Sequence, residues 1–222
     1  MAVIVNPSPS LLSEAEIAPW RKIPVAIAAD LSPEIALIDS AIRPLRPPGR
    51  QPPLVGRAVT ALCEPPDFGA VLHALDLTAP GDVLVIAANG AREAAMIGEI
   101  LSGHLRRRGA VGVVCDGAVR DVATLATFTD FSVFSRSITP RGPTGAERGA
   151  VNVPVTIGGA RVSPGDLILG DDDGLVALTP QDVRTRLKAA QAKLAKEGEW
   201  IAGLESERAV AEVFGLAKET GA

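Results

Sequence analysis

The sequence predicts an α/β domain, a central sheet flanked by helices with a β-rich second half, and three features carry that prediction. Residues 82–88 and 111–115 are short apolar runs with several β-branched residues and glycines beside them, the pattern of strands buried on both faces. Residues 91–108 read as a helix that stops at Gly109, with Arg106, Arg107 and Arg108 where cations suit the negative end of a helix. Strand, helix and strand make one βαβ unit, which is right-handed. From Val151 onward short apolar runs alternate with tight turns, as antiparallel pairing requires.

Taken in order, residues 1–22 contain Pro and Ser, then Glu14, Glu16, Trp20 and Arg21, and read as an amino-terminal arm or capping helix. Residues 24–30 are a short apolar segment ending in an acid. Pro44, Pro47, Pro48, Pro52 and Pro53 exclude helix or inner strand and leave a surface loop over 40–54. Asp67-Phe68-Gly69 opens a helix that runs to Leu77 and closes at Ala79-Pro80-Gly81. Residues 121–127 suggest a short helix, 131–134 a strand, and 137–150 a loop with Pro140, Gly142, Pro143 and Gly145. Residues 151–157 run into the Gly158-Gly159 turn, and the acidic turn Asp171-Asp172-Asp173-Gly174 separates two further apolar runs. Thr179, Pro180 and Asp182 make a well-formed helix start, followed by Val183, Leu187, Ala190 and Leu194 on one face. A last helix is expected from about 204 to 217.

Bulk properties narrow the function. With 47% hydrophobic residues in 222, the chain can bury a substantial core as a main domain (23–200) with terminal extensions, 1–22 and 201–222. A net charge of −4 argues against a nucleic-acid-binding surface. No run of eighteen apolar residues predicts a membrane span, and the first ten residues lack the pattern of a signal peptide, so a cytoplasmic location is expected. Cys63 and Cys115 have no CxxC partner and suggest free thiols; two His residues cannot support a zinc cluster. Neither His73 nor His104 stands out beyond a helix surface, and the acidic turn at 171–174 lacks the spacing and closing Glu of a calcium loop. No Walker A, Gly-x-Ser-x-Gly or Gly-x-Gly-x-x-Gly pattern is present, which leaves a SAM-dependent methyltransferase unsupported.

The chemistry concentrates after the strand at 111–115, at what would be its carboxyl end, where open α/β sheets bind ligands. Asp121 there either caps a helix or holds a hard divalent cation. Arg120 either forms a surface ion pair or grips an anionic substrate bidentately. Asp116 reads as shaping a turn with Gly117.

Glu99, then twenty residues, then Arg120-Asp121 resembles the metal-and-substrate motif of the RraA-like family, which includes the class II, metal-dependent 4-hydroxy-4-methyl-2-oxoglutarate aldolases. Residues 109–121 (Gly-Ala-Val-Gly-Val-Val-Cys-Asp-Gly-Ala-Val-Arg-Asp) match the family's most recognisable signature. The Gly-x-Ala-Val-Thr run at 56–60, Pro164-Gly165-Asp166 and the 171–174 turn agree in order, so the resemblance covers roughly residues 20 to 200.

The resemblance implies a swivelling β/β/α fold and a homotrimer or hexamer with sites at subunit interfaces. It implies Asp121 as the direct ligand of Mg²⁺ or Mn²⁺, with Arg120 on a small-molecule 2-oxo acid substrate. Backbone N–H groups of Gly98, Glu99, Ile100 and Leu101 would hold the substrate carboxylate, which needs a helix that starts near Gly98 rather than one continuous from Ala91. Glu99 would reach the metal through water or remain a solvated helix residue. The implied reaction is retro-aldol cleavage of a 4-hydroxy-2-oxo diacid, such as 4-hydroxy-4-methyl-2-oxoglutarate, to pyruvate through a metal-stabilised enolate. Oxaloacetate decarboxylation is an expected side activity, and a metal-activated water would serve as base. The alternative is a non-catalytic regulator that binds RNase E. Two departures bear on substrate: Phe68 stands where the family often has Asn, and Thr124 where an acid is common.

Overall fold

Period-two alternation along the inner strands sets the layers of the molecule. Val83 and Val85 face one side, packing with Phe134, Val155, Ile157 and Val162. Leu84 and Ile86 face the other, packing with Val71, Leu75, Leu105 and Phe128. A third cluster joins Trp20, Ile27, Leu169, Val176 and Val183. Each fully buried aliphatic side chain of this kind contributes about 1.5–3 kcal/mol.

The computed structural model describes residues 2–9, 12–31 and 33–216. The chain begins with β1 (Ile4–Val5), α1 (Glu14–Ile17), a 3₁₀ turn (Ala18–Lys22) and α2 (Val25–Ala29). Next come β2 (Ala36–Ile38), β3 (Arg43–Pro44), β4 (Leu54–Leu62), α3 (Gly69–Leu77) and β5 (Asp82–Ile97). Then follow α4 (Glu99–Arg107), β6 (Gly112–Val119), α5 (Val122–Leu125) and β7 (Ser132–Ile138). The second half adds β8 (Ala150–Val151), β9 (Val155–Ile157), β10 (Ala160–Val162), β11 (Leu167–Gly170) and β12 (Leu175–Leu178). It ends with α6 (Pro180–Glu205) and α7 (Val210–Val213).

The main sheet has the order β2-β12-β11-β4-β5-β6-β7-β3. Its centre, β4 to β7, is parallel, with α3, α4 and α5 as the successive crossovers. Its flanks, β2, β11, β12 and β3, pair antiparallel. The β9–β10 hairpin closes one face. This is the mixed α/β domain predicted, with the antiparallel block where expected. Among the described residues no helix is long and apolar enough to cross a membrane.

Several expectations are corrected. Residues 91–97 are strand, not the first half of a helix: β5 continues to Ile97 and the helix spans only Glu99–Arg107. Asn89 and Gly90 take φ of 50° and 71°, and after Ala87 the strand pairs with β6 in successively shifted register at Ala91, Ala95 and Ile97. Alanines that look helical in sequence become buried strand here, because tertiary pairing outweighs a weak propensity. The expected 151–157 strand is broken at Asn152, whose φ is 54°. Within the proline loop, Arg43–Pro44 forms an edge strand against β7. The last helix is not one element from 204 to 217. α6 runs unbroken to Glu205 and α7 is a single short turn, while residue 217 lies outside the described residues. In the amino-terminal segment Ile4–Val5 is a strand beside β8 and residues 14–22 are helical, with Trp20 fully buried and its Nε1–H donating to the Val183 carbonyl at 3.2 Å.

Asp116 does not shape a turn. It lies in β6, is buried, pairs with Arg136 and accepts the Gly158 N–H at 2.7 Å, pinning the β9–β10 hairpin to the sheet. Asp166 plays a similar part in the turn before β11, accepting the Ser163 N–H at 2.7 Å. Burial pushes its carboxyl up to about 6, and the Ser163 bond offsets only part of that.

Two outcomes follow. Arg136→Met leaves the Asp116 carboxylate buried without its cation and should cost about 3 kcal/mol in urea unfolding. Because the folded state holds the Asp166 proton more tightly than the unfolded chain, its contribution to stability falls as pH rises from about 4 to about 6. Asp166→Asn should remove that slope, and a wild-type-like slope in the variant would refute the assignment.

Candidate functional site

Parallel β5 and β6 end on the same edge of the sheet, and the residues following each of them meet there. Gly98, extended at φ −151° and ψ −159°, joins β5 to α4 as the helix N-cap. Arg120 and Asp121 join β6 to α5, with the Arg120 N–H donating to the Ile97 carbonyl at 3.1 Å. Asp121 has the left-handed backbone φ 59°, ψ 37°, a conformation costing a non-glycine residue about 1 kcal/mol. The turn brings Asp121 Oδ2 to accept the Glu99 N–H at 3.0 Å, and Arg120 Nε lies 3.6 Å from the same oxygen.

Two glycines make this approach possible. A Cβ on Gly98 would overlap Asp121 Oδ2 and come within 2.8 Å of Arg120 Cγ. A Cβ on Gly142 would lie 2.6 Å from an Arg120 guanidinium nitrogen. Arg120 and Asp121 are each 39% exposed at the side chain, so both are open to a solute.

The helix start resolves the alternative left by the sequence. α4 begins after Gly98, and its first helical closure is Ser102 N–H to the Gly98 carbonyl at 3.0 Å. The N–H groups of Ile100 and Leu101 in that first turn have no preceding helical carbonyl within reach. Gly98, Ile100, Leu101, Arg120 and Asp121 all line one cleft of about 310 Å³. The positive end of a helix, a guanidinium and a carboxylate therefore converge on one space.

The remaining wall comes from Phe68 and Leu72 of α3, Met96 and Ile97 of β5, and the loop at Gly142-Pro143. Asp67 anchors that loop. It is 2% exposed and accepts the N–H groups of Gly69 at 2.8 Å, Glu147 at 3.0 Å and Arg148 at 3.2 Å. Burial by itself would raise the Asp67 carboxyl, but these bonds together with the Arg148 charge hold it below the ordinary range. The Phe68 N–H donates to Gly145 and Ala95 N–H to Arg141, which fastens the loop along both sides.

Among the described residues no group of three or more His, Cys, Asp or Glu side chains could hold a metal by itself. Asp121 is a lone, half-exposed carboxylate. That donor set suits Mg²⁺, which binds through one or two carboxylates and keeps several waters, and does not suit zinc. Glu99, at the start of α4, is exposed beside it. His73 and His104 do not line the cleft, nor do the cysteines. Both thiols are buried, with burial pushing Cys63 up to about 12 and Cys115 well above its usual value, which makes them inert. The acids of the 171–174 turn serve other ends: Asp171 accepts the Val25 N–H at 3.0 Å and Asp172 the Gly49 N–H at 2.6 Å.

Gly98, Ile100, Leu101, Arg120 and Asp121 are thus brought to one place; Glu99 is corrected, since it does not line the cleft and its N–H is taken by the Asp121 carboxylate instead of being free for a substrate. In the sequence Gly142 and Pro143 read only as loop formers, and Met96 reads as part of a helix. A Gly- and Pro-rich loop marks a place where backbone can approach closely, but nothing in it says what is approached.

The fold and this edge define an RraA-like protein: residues 28–177 match the Aldolase/RraA family model, and the chain belongs to that family. A relative from Halalkalibacterium halodurans, named "Putative 4-hydroxy-4-methyl-2-oxoglutarate aldolase", is 33% identical over 189 residues, covering 84% of this chain and 88% of its own. Streptomyces coelicolor RraAS2, described as an unusual member of the RNase ES inhibitor RraA protein family, superposes with a TM-score of 0.74 at 26% identity, over 84% of this chain and 96% of that one. The RNA-processing inhibitor RraA from Thermus thermophilis gives 0.64 at 28% identity, over 71% and 93%.

Asp67→Asn should loosen the cleft wall, since an amide cannot match a carboxylate accepting three N–H bonds. The loss should be about 1–3 kcal/mol, with faster hydrogen exchange at the Glu147 and Arg148 amides. In the wild type the Asp67 contribution is present above the ordinary carboxylate range and lost as pH falls through its lowered value. Unchanged exchange in the variant would show that Asp67 does not hold the loop.

Proposed function

We propose that the protein is a divalent-metal-dependent pyruvate aldolase acting on 4-hydroxy-2-oxo acids. One observation carries the reading: Arg120 and Asp121 meet the first turn of α4 and line one open cleft with it at the carboxyl edge of the parallel strands. The name of the Halalkalibacterium halodurans relative supports it.

The substrate carboxylate would take the N–H groups of Ile100 and Leu101, whose helix dipole favours an anion. Arg120 would fork onto the oxygen where enolate charge develops, the kind of contact that stabilises a transition state more than a ground state. Asp121 would hold Mg²⁺ or Mn²⁺, and a cation bound there would supply Lewis-acid stabilisation of the 2-oxo group. In the cleavage the C3–C4 bond breaks and its electron pair delocalises toward the 2-oxo oxygen. The C4 hydroxyl loses its proton to solvent as the new carbonyl forms, and a solvent proton returns to C3 to give pyruvate. Oxaloacetate decarboxylation would pass through the same enolate. A trimeric or hexameric assembly is part of the proposal.

The second reading is a protein-binding regulator, favoured by the likeness to the RNA-processing inhibitors. A coupled pyruvate-release assay separates the two. Turnover should require Mg²⁺ or Mn²⁺ and stop with EDTA; turnover that survives confirmed metal removal would rule out the metal-dependent mechanism. Asp121→Asn should abolish metal-dependent activity and weaken Mn²⁺ binding in calorimetry. Arg120→Lys keeps the charge but loses the planar fork, so kcat/KM should fall about 10²-fold, roughly 3 kcal/mol, while Mn²⁺ affinity stays near wild type. Wild-type kinetics in the Lys variant would mean that Arg120 does not meet the substrate.

A further inference from the structure

The Arg120 guanidinium is flanked on two sides. Its Nε lies 3.6 Å from Asp121 Oδ2, an ion-pair distance too long for a directional hydrogen bond. On the other side the backbone of Gly142 stands so close that a Cβ there would lie 2.6 Å from Nη1 and 3.6 Å from Cζ. The plane of the guanidinium is therefore limited by where Gly142 sits.

Gly142 is itself held in place. The Ala95 N–H of β5 donates to the Arg141 carbonyl at 2.9 Å, and the Thr144 N–H donates to the Pro66 carbonyl at 2.9 Å, so the loop is tied on both sides of Gly142. Beyond Thr144 the loop passes over the Asp67 carboxylate, where a Cβ on Gly145 would come within 2.6 Å of Oδ2. The same carboxylate accepts the N–H groups of Glu147 and Arg148. Asp67 is buried and does not line the cleft. A chain of direct contacts thus runs from a buried acid before α3, through residues 141–148, to the guanidinium of Arg120. All of these contacts lie within one subunit, so they hold whatever a neighbouring subunit adds to the cleft.

We infer that Gly142 and Asp67 are positioning residues for Arg120: the 141–148 loop is a fixed stop that aims the guanidinium into the cleft, and Asp67 anchors the stop. The inference rests on the aldolase reading only for what Arg120 grips. It gives the loop a part in turnover beyond walling the cleft, because a planar fork stabilises an enolate oxygen only when held within about 0.5 Å of its productive place.

The test is a double-mutant cycle with 4-hydroxy-4-methyl-2-oxoglutarate and Mg²⁺. At Gly142 a Cβ meets only the far end of a flexible side chain, and the backbone there is not left-handed. Gly142→Ala should therefore unfold at the wild-type urea midpoint while pushing Arg120 aside. Its kcat/KM should fall about tenfold, through kcat and not KM, with Mn²⁺ affinity unchanged. Asp67→Asn, assayed well below its unfolding transition, should do the same. In the Arg120→Lys background neither substitution should cost more than about twofold, because Lys lacks the nitrogen that Gly142 meets. Equal losses in both backgrounds would overturn the inference, since a loop that merely stabilises the fold acts independently of residue 120. The NMR signal of the Arg120 Nε–H reads the same geometry without turnover. Gly142→Ala should move that signal, and an unmoved signal in both variants would overturn the positioning role. If the wild type releases no pyruvate, the aldolase reading falls, and the NMR signal alone decides whether the loop positions Arg120.

Discussion

The candidate site depends on the contact between the Glu99 N–H and the Asp121 carboxylate, and that contact depends on residue 98 having no side chain. Asp121 reaches back only because its backbone turns left-handed, a local strain that the Ile97–Arg120 backbone bond and the buried ends of β5 and β6 hold in place. The same turn lifts Arg120 toward the cleft, where Gly142 leaves room for its guanidinium. A small backbone deviation at the end of one strand thus places two charged side chains against the start of the neighbouring helix.

The long β5 strand makes this geometry possible. By bulging at Asn89-Gly90 and pairing on in shifted register to Ile97, it carries the buried residues Ala94 to Ile97 out to the edge where α4 begins. Had the segment been helical throughout, the amides of Ile100 and Leu101 would be engaged with earlier carbonyls and no anion could reach them. The change from a long helix to strand plus short helix is therefore the change from a closed surface to a binding site.

Buried carboxylates fasten the loops around this frame. Asp67 holds the Gly142-Pro143 wall, Asp116 the β9–β10 hairpin, and Asp166 the turn before β11. They differ in how burial is answered. Three N–H donors and a nearby Arg leave Asp67 ionised easily, whereas Asp166, with one donor, is held closer to neutrality. The loop that borders the cleft is tied to the buried Asp67 carboxylate through the Glu147 and Arg148 N–H groups, as preorganisation of a site requires.

Local pattern was enough for much of the molecule. The βαβ core, the α3 helix, the capping box of α6 and the antiparallel second half are legible because propensity, periodicity and turn chemistry agree there. The position of Arg120 and Asp121 at the end of a buried strand was legible for a similar reason, whereas the residues left their roles open and only the family resemblance favoured a site. Gly98 and its neighbours were half legible, since only the family pattern argued for a break in an alanine-rich stretch. What the sequence by itself determined was the order of the elements and the identity of the charged residues at the strand ends. What the tertiary structure decided was the fate of residues 91–97 and the meeting of Phe68, Leu72, Gly142 and Arg120 around one cleft. Those outcomes depend on strand pairing and on contacts between residues as far apart as Phe68 and Gly145, which no short window of sequence contains.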